Sequence, residues 1–149
     1  MAYKGKYKVK NPNKYVGAVD KVRYRSSWER RFMVYCDVTQ PKIERWSSEE
    51  LVLPYVSPAD GRVHRYFPDF WIEQRDENGK LSTMVIEVKP KAQCVPPKIP
   101  KTKNSKSKYR YLREMKTWKV NEAKWKVAEE FCAERKWIFK LLTEDHLVK

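Results

Sequence analysis

The sequence has few cysteines, and they lie far apart. Cys36, Cys94 and Cys132 form no Cys-x-x-Cys pair and no spacing typical of a zinc site. An odd number of isolated cysteines also argues against the disulfide framework of small secreted domains. The simplest interpretation is a reduced, intracellular protein whose fold depends on neither disulfides nor zinc.

Long apolar runs are absent as well. A membrane-spanning helix needs about 20 consecutive apolar residues, and no stretch of the chain approaches that length. The sequence shows neither a secretory signal pattern nor a lipidation motif, so no membrane partner is expected. It contains no internal repeat, and a single domain over residues 1–149 is expected for this length.

Acidic residues are scarce relative to basic ones. The 19 Asp and Glu residues stand against 33 Lys and Arg, which leaves a net charge of +14. A domain this basic attracts polyanions, and nucleic acid is the usual partner. Residues 1–25 and 89–126 together hold three acidic residues, so most carboxylates lie between these two basic segments. This distribution predicts a carboxylate site flanked by segments that hold DNA.

The apolar residues, 41% of the chain, are arranged in a pattern of alternating helices and strands. The predicted elements are a helix over about 27–38, strands over 50–56, 63–73 and 81–89, a helical region from about 109 that is divided or kinked near Asn121, and a strand over 137–142. Turn motifs at 58–61 and 76–79 join the first three strands into an antiparallel meander. The order α-β-β-β-α-β predicts an α/β fold in which helices flank a mixed sheet.

Two basic segments lack such a pattern. Residues 1–25 are rich in Lys, Tyr and Asn, and we interpret them as an irregular or mobile N-terminal arm. Residues 90–108 hold most of the prolines and many lysines, which predicts a long loop. A loop of that length is often functional, so contact with the DNA backbone is expected there.

Three residues on the second and third predicted strands carry the chemistry: Asp69 after Pro68, and Glu87-Val88-Lys89. Side chains alternate along a strand, so Glu87 and Lys89 point to the same face. The hairpin between the strands can bring Asp69 beside Glu87. Two close carboxylates repel each other unless a cation lies between them, so this pair predicts a metal site.

Carboxylate oxygens of this kind suit Mg²⁺, and Mn²⁺ is expected to substitute for it. Phosphodiester hydrolysis adds negative charge to a phosphate that is already anionic. A divalent cation stabilises that charge and lowers the pKa of a bound water. A lysine beside the cation can orient the water or neutralise the transition state, which is the role expected for Lys89.

The placement of these residues resembles that of the PD-(D/E)XK nuclease superfamily. The resemblance implies a single restriction-endonuclease-like domain in which Asp69 and Glu87 bind the metal and Lys89 is the catalytic lysine. Many members add a glutamate from the first helix, and Glu29 in Ser26-Ser27-Trp28-Glu29 matches it. Glu29 is therefore a further candidate catalytic residue and metal ligand.

A second resemblance extends over nearly the whole chain. Five segments are similar to those of the head completion nucleases of T-even-like tailed phages, namely 25–29, 65–71, 87–91, 117–121 and 142–145. This resemblance implies action late in particle assembly, on packaged DNA or its protruding end, before the tail joins the filled head. It also implies a place in the host cytoplasm or on the phage head, with head, neck or portal proteins as partners.

Several residues keep alternative interpretations. Ser26-x-x-Glu29 is also a capping box, in which the glutamate completes the helix start. Asn121 is expected to cap a helix, although it and Lys124 are also placed to touch phosphate. Glu49 and Glu50 are interpreted as solvated charges at a strand edge, and His64 lacks the partners of a metal ligand.

The residues expected to hold DNA are basic and lie around the carboxylates: Arg62, Arg65, Lys91, Lys101, Lys103, Lys106, Lys108, Arg110 and Lys124. Contacts to phosphates carry no sequence information, so a Mg²⁺-dependent nuclease of little sequence specificity is the first hypothesis. The second is a DNA-binding assembly protein that keeps a nuclease fold without activity. The third is an enzyme that cuts junctions or transposon ends.

Overall fold

A computed structural model describes residues 4–147 of the chain. Its strands are β1 Gly5–Lys6, β2 Arg23–Tyr24, β3 Ile43–Ser48, β4 Leu53–Val56, β5 Val63–Tyr66, β6 Phe70–Arg75, β7 Leu81–Val88 and β8 Ile138–Leu142. Its α-helices are α1 Ser27–Val34, α2 Ser105–Glu134 and α3 Glu144–Leu147. Shorter helical turns are Pro12–Lys14, Val19–Lys21, Tyr35–Thr39 and Lys91–Cys94.

Four strands form the central sheet in the order β3-β6-β7-β8. The first three make an antiparallel meander, and β8 lies parallel to β7. The predicted mixed sheet is confirmed by this pairing, and helices pack on both of its faces. Within residues 4–147, none of the helices is long and apolar enough to cross a membrane.

Alternation along the strands divides the apolar residues between two layers. Ile86 of β7 packs against α1 together with Phe70, whose ring centroid lies 4.7 Å from that of Phe32. On the other face, Leu141 and Phe139 of β8 pack against α2 and the β4–β5 hairpin. Each face of the sheet is therefore covered, and the side chains at the end of β7 point toward the elements packed on the sheet.

The first strand of the meander differs from the prediction. The predicted strand at 50–56 forms in part, as β4, but its predicted place in the meander is wrong, because the meander begins with β3 and β4 pairs with β5 in a separate two-stranded sheet. In β3, Ser47 and Ser48 are buried beside Trp46. Serines count as polar in a hydropathy pattern, so a strand whose buried residues include two serines does not show an alternating apolar pattern.

The predicted strand at 63–73, in which Pro68 is expected to mark a bulge or an edge, is interrupted completely at that proline. It forms β5 and β6, with residues 67–69 between them outside both strands. Pro68 lies in this gap and is fully buried. Proline has no N–H to donate and cannot continue a central ladder. The break allows β5 to leave the main sheet and pair with β4 over α2.

The long helix is also different from the prediction. Helix α2 is continuous from Ser105, so the predicted start at Tyr109 and the division near Asn121 are wrong, as is the extension of the preceding loop to residue 108. The cap is Asn104, whose Oδ1 accepts the Ser107 N–H at 2.8 Å. The first turns carry mostly Lys, Ser and Tyr, so they show little amphipathic pattern.

The N-terminal segment is packed onto the core. Its backbone is largely irregular, as predicted, but Tyr7, Tyr15, Val22 and Tyr24 are buried in the layer around Trp46. The interpretation of residues 4–25 as mobile is therefore wrong, and residues 1–3 lie outside the described residues. Large aromatic side chains bury much apolar area each, and they hold a segment that has few regular hydrogen bonds.

Asp37, buried in the helical turn after α1, anchors this segment. Its Oδ2 accepts the Tyr7 hydroxyl and the Lys10 N–H, both at 2.8 Å, and its Oδ1 accepts the Asn11 N–H at 3.0 Å. The side-chain amide of Asn11 donates to the Asp37 carbonyl at 2.6 Å. Hydrogen bonds to a buried carboxylate are stronger than neutral ones, so this group joins the segment to the core.

We expect Asp37→Ala to lower the free energy of unfolding by about 3 kcal/mol, because it leaves buried donors without an acceptor. Urea denaturation followed by circular dichroism measures the change. The control is Asp145→Ala, whose ion pair with Lys91 is exposed and is expected to contribute less than about 1 kcal/mol. Equal stability of the two variants would contradict the anchoring role of Asp37.

Candidate active site

Asp69 and Glu87 face each other at one end of the central sheet. Phe70 pairs with Ile86, so Asp69, one residue earlier, lies opposite Glu87, one residue later. Side chains in such opposed positions share a face, with Cβ atoms about 4.5–5.5 Å apart. Lys89 follows on the same face, and the structure thus brings all three residues together.

Each carboxylate is held through one oxygen. Asp69 Oδ2 accepts the Val88 N–H at 2.8 Å, and Glu87 Oε1 accepts the Tyr66 hydroxyl at 2.9 Å. Lys89 Nζ lies 3.6 Å from Glu87 Oε2. Asp69 Oδ1 accepts no hydrogen bond from any described residue. The two side chains are therefore oriented and still have oxygen atoms available for a ligand.

Burial changes the acidity of both carboxyl groups. It raises the pKa of Asp69 well above its usual value, and the charges of Glu87 and Glu29 raise it further. Burial also raises the pKa of Glu87, against the opposing effects of Lys89 and of the Tyr66 hydrogen bond. Two neighbouring carboxylates disfavour each other's ionised form, and a bound cation removes that penalty.

Two residues complete the surroundings of Glu87. Burial, followed by the charge of Glu87, raises the pKa of Tyr66, so its hydroxyl stays protonated and donates. Lys124 Nζ lies 5.7 Å from the ring centroids of both Tyr55 and Tyr66, and its charge lowers the pKa of Glu87. Sequence reasoning missed Tyr66. Its hydroxyl reaches Glu87 because the strand is interrupted at Pro68, so that Tyr66 lies in β5 rather than in β6.

Glu29 lies at the edge of the site and also at the start of α1. The Ser26 hydroxyl accepts the Glu29 N–H at 3.1 Å and donates to Glu29 Oε2 at 3.3 Å. Burial raises the pKa of the Glu29 carboxyl, and Glu49 raises it further. Glu29 in turn contributes to the raised pKa of Asp69, so its cap position does not remove it from the site.

Glu49 belongs to the same group, contrary to its interpretation as a solvated charge. Its N–H donates to the Asp69 carbonyl at 3.1 Å, and its carboxylate pairs with Arg25 at 2.9 Å. Its φ is 54°, a left-handed conformation that is uncommon for residues other than glycine and occurs often at functional sites. Glu50 is exposed, yet it accepts the Tyr15 hydroxyl at 2.9 Å.

The donor set suits a cation that keeps part of its water. Within residues 4–147, no group of three or more Asp, Glu, His or Cys side chains is arranged to hold a metal ion. Mg²⁺ is usually held by one or two carboxylates, with waters and substrate phosphates at the other positions. Asp69 and Glu87 fit that pattern, because both are oriented and neither is fully occupied by protein donors.

The predicted DNA-holding residues lie in several surroundings. Eight of them are exposed: Arg62, Arg65, Lys101, Lys103, Lys106, Lys108, Lys91 and Arg110. Lys91 pairs with Asp145 at 3.1 Å, and Arg110 pairs with Glu114 at 3.0 Å. Lys124 is half-buried beside Tyr66. The first eight are placed for surface contact, whereas Lys124 lies beside the carboxylates.

Comparison with known proteins found similarity to nucleases. The family model of the TnsA-like endonuclease N-terminal domain matches residues 40–144, which include Asp69, Glu87 and Lys89 but not Glu29. The head completion nuclease of Enterobacteria phage T4 is 42% identical over 147 residues, which cover 99% of this chain and 95% of that protein. No solved structure matches.

We expect Asp69→Asn to raise the free energy of unfolding at pH 7.5 in EDTA by roughly 1 kcal/mol, because it removes a partly desolvated carboxylate that is repelled by Glu87 and Glu29. A carboxyl with a raised pKa holds a proton in the folded state that the unfolded chain has lost, so stability falls as pH rises above the ordinary carboxyl range. Asp69→Asn should flatten that fall. Thermal unfolding between pH 4 and pH 8 measures both effects.

The control for this experiment is Glu73→Gln, on the same strand. Glu73 pairs with the exposed Arg45, outside the carboxylate group, so its loss should not raise stability. If the pH profile of Asp69→Asn has the same slope as that of the unaltered protein, burial of the Asp69 carboxyl is not the cause of the fall in stability.

Proposed function

We propose, from the premise that the chain belongs to the TnsA-like endonuclease family and hence to the PD-(D/E)XK nuclease superfamily, that it hydrolyses phosphodiester bonds in DNA at Asp69 and Glu87. The observation that carries the proposal is the opposed pair of carboxylates, Glu87 buried and Asp69 half-buried, with a lysine amine beside them. A fold rarely keeps such a pair without a ligand, because burying charge is costly.

Members of the superfamily generally use divalent metal ions, and we propose Mg²⁺ for this chain, with Mn²⁺ as a substitute. When bound, the cation would stabilise the charge that builds up on the phosphate and lower the pKa of a water molecule. Asp69 and Glu87 would hold it through oxygen atoms that the protein leaves available. Val88 and Tyr66 keep these two side chains in place.

The lysines have separate roles in this proposal. Lys89 Nζ, 3.6 Å from Glu87 Oε2, can reach a phosphate oxygen or the attacking water and neutralise developing charge. Lys124 lies over Tyr66 on the helix side, and we propose that it keeps Glu87 ionised and contacts the DNA backbone. Glu29 would support the site from the start of α1, as a ligand to the cation or to its water.

The exposed basic residues around the site would hold DNA without reading its sequence. A positive charge of 14 on one small domain attracts the phosphate backbone, and such contacts position a duplex but do not discriminate between bases. Affinity is therefore expected to fall steeply as salt rises. This supports little sequence specificity for the cleavage reaction.

We expect the unaltered protein to cut supercoiled and linear DNA in Mg²⁺ and not in EDTA. Glu87→Ala and Lys89→Ala should each lower the rate at least about 100-fold, because each removes stabilisation at the reacting phosphate. Gel assays measure cleavage, and filter binding in EDTA measures DNA retention. The controls Glu73→Gln and Lys119→Ala remove the same charges elsewhere and should cut normally.

Each alternative hypothesis has its own outcome in this assay. Intact DNA in Mg²⁺, with full retention on the filter, would favour a DNA-binding assembly protein without activity. Cleavage confined to four-way junctions or transposon-like ends would favour a structure-specific enzyme, which the match to a TnsA-like family makes the stronger alternative. Normal cleavage by Glu87→Ala would overturn the proposed site.

We expect Glu29→Gln to separate the two roles of that residue. Glutamine also serves in a capping box, so the variant should unfold within about 0.5 kcal/mol of the unaltered protein. If the carboxylate supports the site, cleavage falls at least about tenfold, with partial recovery at higher Mg²⁺ concentration. Ser26→Ala is the converse control, with lower stability and near-normal cleavage. Full activity of Glu29→Gln would restrict Glu29 to capping.

The biological step we propose comes from the phage T4 relative, whose name is head completion nuclease. By that likeness this chain would act on packaged DNA, or its protruding end, before the tail joins the head, in the host cytoplasm or on the phage head. Head, neck or portal proteins would be its partners. Expression of the chain during infection by a phage without its own head completion nuclease should restore infectious particles, and Glu87→Ala should not.

A further inference from the structure

A groove lies between residues 92–97 and the first half of α2. Its volume is about 650 Å³, within the range of sites that hold a small ligand or part of a larger one. The helix wall presents Arg110, Arg113, Trp118 and Asn121. Neither the cleavage chemistry nor duplex binding by exposed basic residues accounts for this combination.

Asn121 is the least expected residue of the groove. Its side chain is 9% exposed, in the middle of α2, and it makes no hydrogen bond with any residue in the described range 4–147. Asparagine is a poor residue for a helix interior, and among the described residues the fully buried side-chain polar atoms without a partner do not include its amide, so the amide is open to the groove. An amide in this position is expected when it binds a ligand that enters the groove.

The charged residues of the groove favour an anion. Arg110 is paired with Glu114, but Arg113 forms no ion pair with a carboxylate in the part of the chain that the structure describes. The Arg113 guanidinium lies 5.8 Å from the ring centroid of Tyr109, at the surface. It is therefore available for a phosphate group at the mouth of the groove.

Trp118 adds a flat apolar surface between these polar groups. It is half-buried and lines the groove, and its ring stands edge-on to Trp125 at a centroid distance of 5.8 Å. The opposite wall contributes Val95 and Pro97. An aromatic ring beside arginine and amide groups is typical of sites that stack a nucleic-acid base and bind its backbone.

Both walls of the groove lie close along the chain to residues of the cleavage site. Its non-helical wall begins a few residues after Lys89, where the Gln93 N–H donates to the Pro90 carbonyl at 2.9 Å. On α2, Asn121 lies three residues before Lys124, so the two side chains share one face of the helix. A strand bound in the groove would therefore lead past Lys124 toward Glu87.

We infer that this groove binds a single-stranded segment of the DNA substrate, next to the phosphate that is cut. The inference rests on the proposed function for the identity of the substrate. A duplex hides its base faces within the stack, whereas an unpaired strand exposes base faces and edges to Trp118 and Asn121. The substrate class that follows is DNA with an unpaired end or gap.

The test measures binding by the full chain in EDTA, so that cleavage plays no part. Fluorescence anisotropy compares a blunt DNA hairpin with the same hairpin carrying a 5′ or 3′ overhang of about six thymidines. The unaltered protein should bind one overhang at least about tenfold more tightly than the blunt hairpin. Asn121→Ala and Arg113→Ala should each reduce that preference about three- to tenfold.

Lys119→Ala is the matched control. Lys119 is exposed, two residues from both Thr117 and Asn121, so it points about 160° away from them around the helix. Its loss should weaken binding to both hairpins equally. Arg113→Ala should also reduce the slope of log affinity against log salt by about 0.7 for the overhang alone, as expected for one lost contact to a single strand.

Stability distinguishes a ligand-binding Asn121 from a structural one. Alanine is the better helix former, so Asn121→Ala should unfold at the same urea concentration as the unaltered protein, or at a higher one, while its overhang preference falls. Lower stability with unchanged preference would overturn the inference. Equal affinity of the unaltered protein for blunt and overhang hairpins would also overturn it.

Two further outcomes keep the groove and the proposed function separate. Displacement of the overhang by thymidine monophosphate at the same concentration as by an oligothymidine would overturn the single-strand assignment, because it would indicate a mononucleotide site. An intact overhang preference in a protein that does not cut DNA in Mg²⁺ would support the groove and refute the nuclease proposal.

Discussion

The pairing of β6 with β7 is the constraint on which the site depends. Phe70 lies opposite Ile86, and this register alone places Asp69 opposite Glu87. A slip of one residue would turn every side chain of one strand to the other face. The apolar layers on both faces of the sheet prevent that slip, because it would expose buried residues to water. Packing far from the carboxylates thereby determines the distance between them.

The site lowers the stability of the folded protein, and the rest of the fold offsets that loss. Two carboxyl groups with raised pKa values lie at the end of the sheet, and Glu49 adopts a left-handed backbone conformation beside them. The Tyr66 hydroxyl, which donates to Glu87, and the charge of Lys124 both favour the ionised form of Glu87, and both come from other elements. The packed N-terminal segment and the two apolar layers supply stability elsewhere, so the carboxylates can stay close together at a position accessible to substrate.

Local features of the sequence predicted a large part of this arrangement. The alternation in β7 placed Glu87 and Lys89 on one face, and the Ser26-x-x-Glu29 box marked the start of α1. The predictions failed where buried residues are polar or where a regular element has few apolar residues. Buried serines concealed β3, and a polar first half concealed the start of α2. In the N-terminal segment, three tyrosines and Val22 enter the core, but they stand among basic residues without a regular spacing, so the segment resembled an exposed arm.

The sequence by itself determined the chemical types and their local spacing: a basic chain, a proline that ends a strand, and a glutamate two residues from a lysine. These follow from the periodicity of the backbone, which acts over a few residues. Only the tertiary structure decided which distant residues meet. Tyr66 and Lys124 converge on Glu87, and Asn121 faces a groove. Such contacts depend on how whole elements pack, because the residues that meet are far apart along the chain.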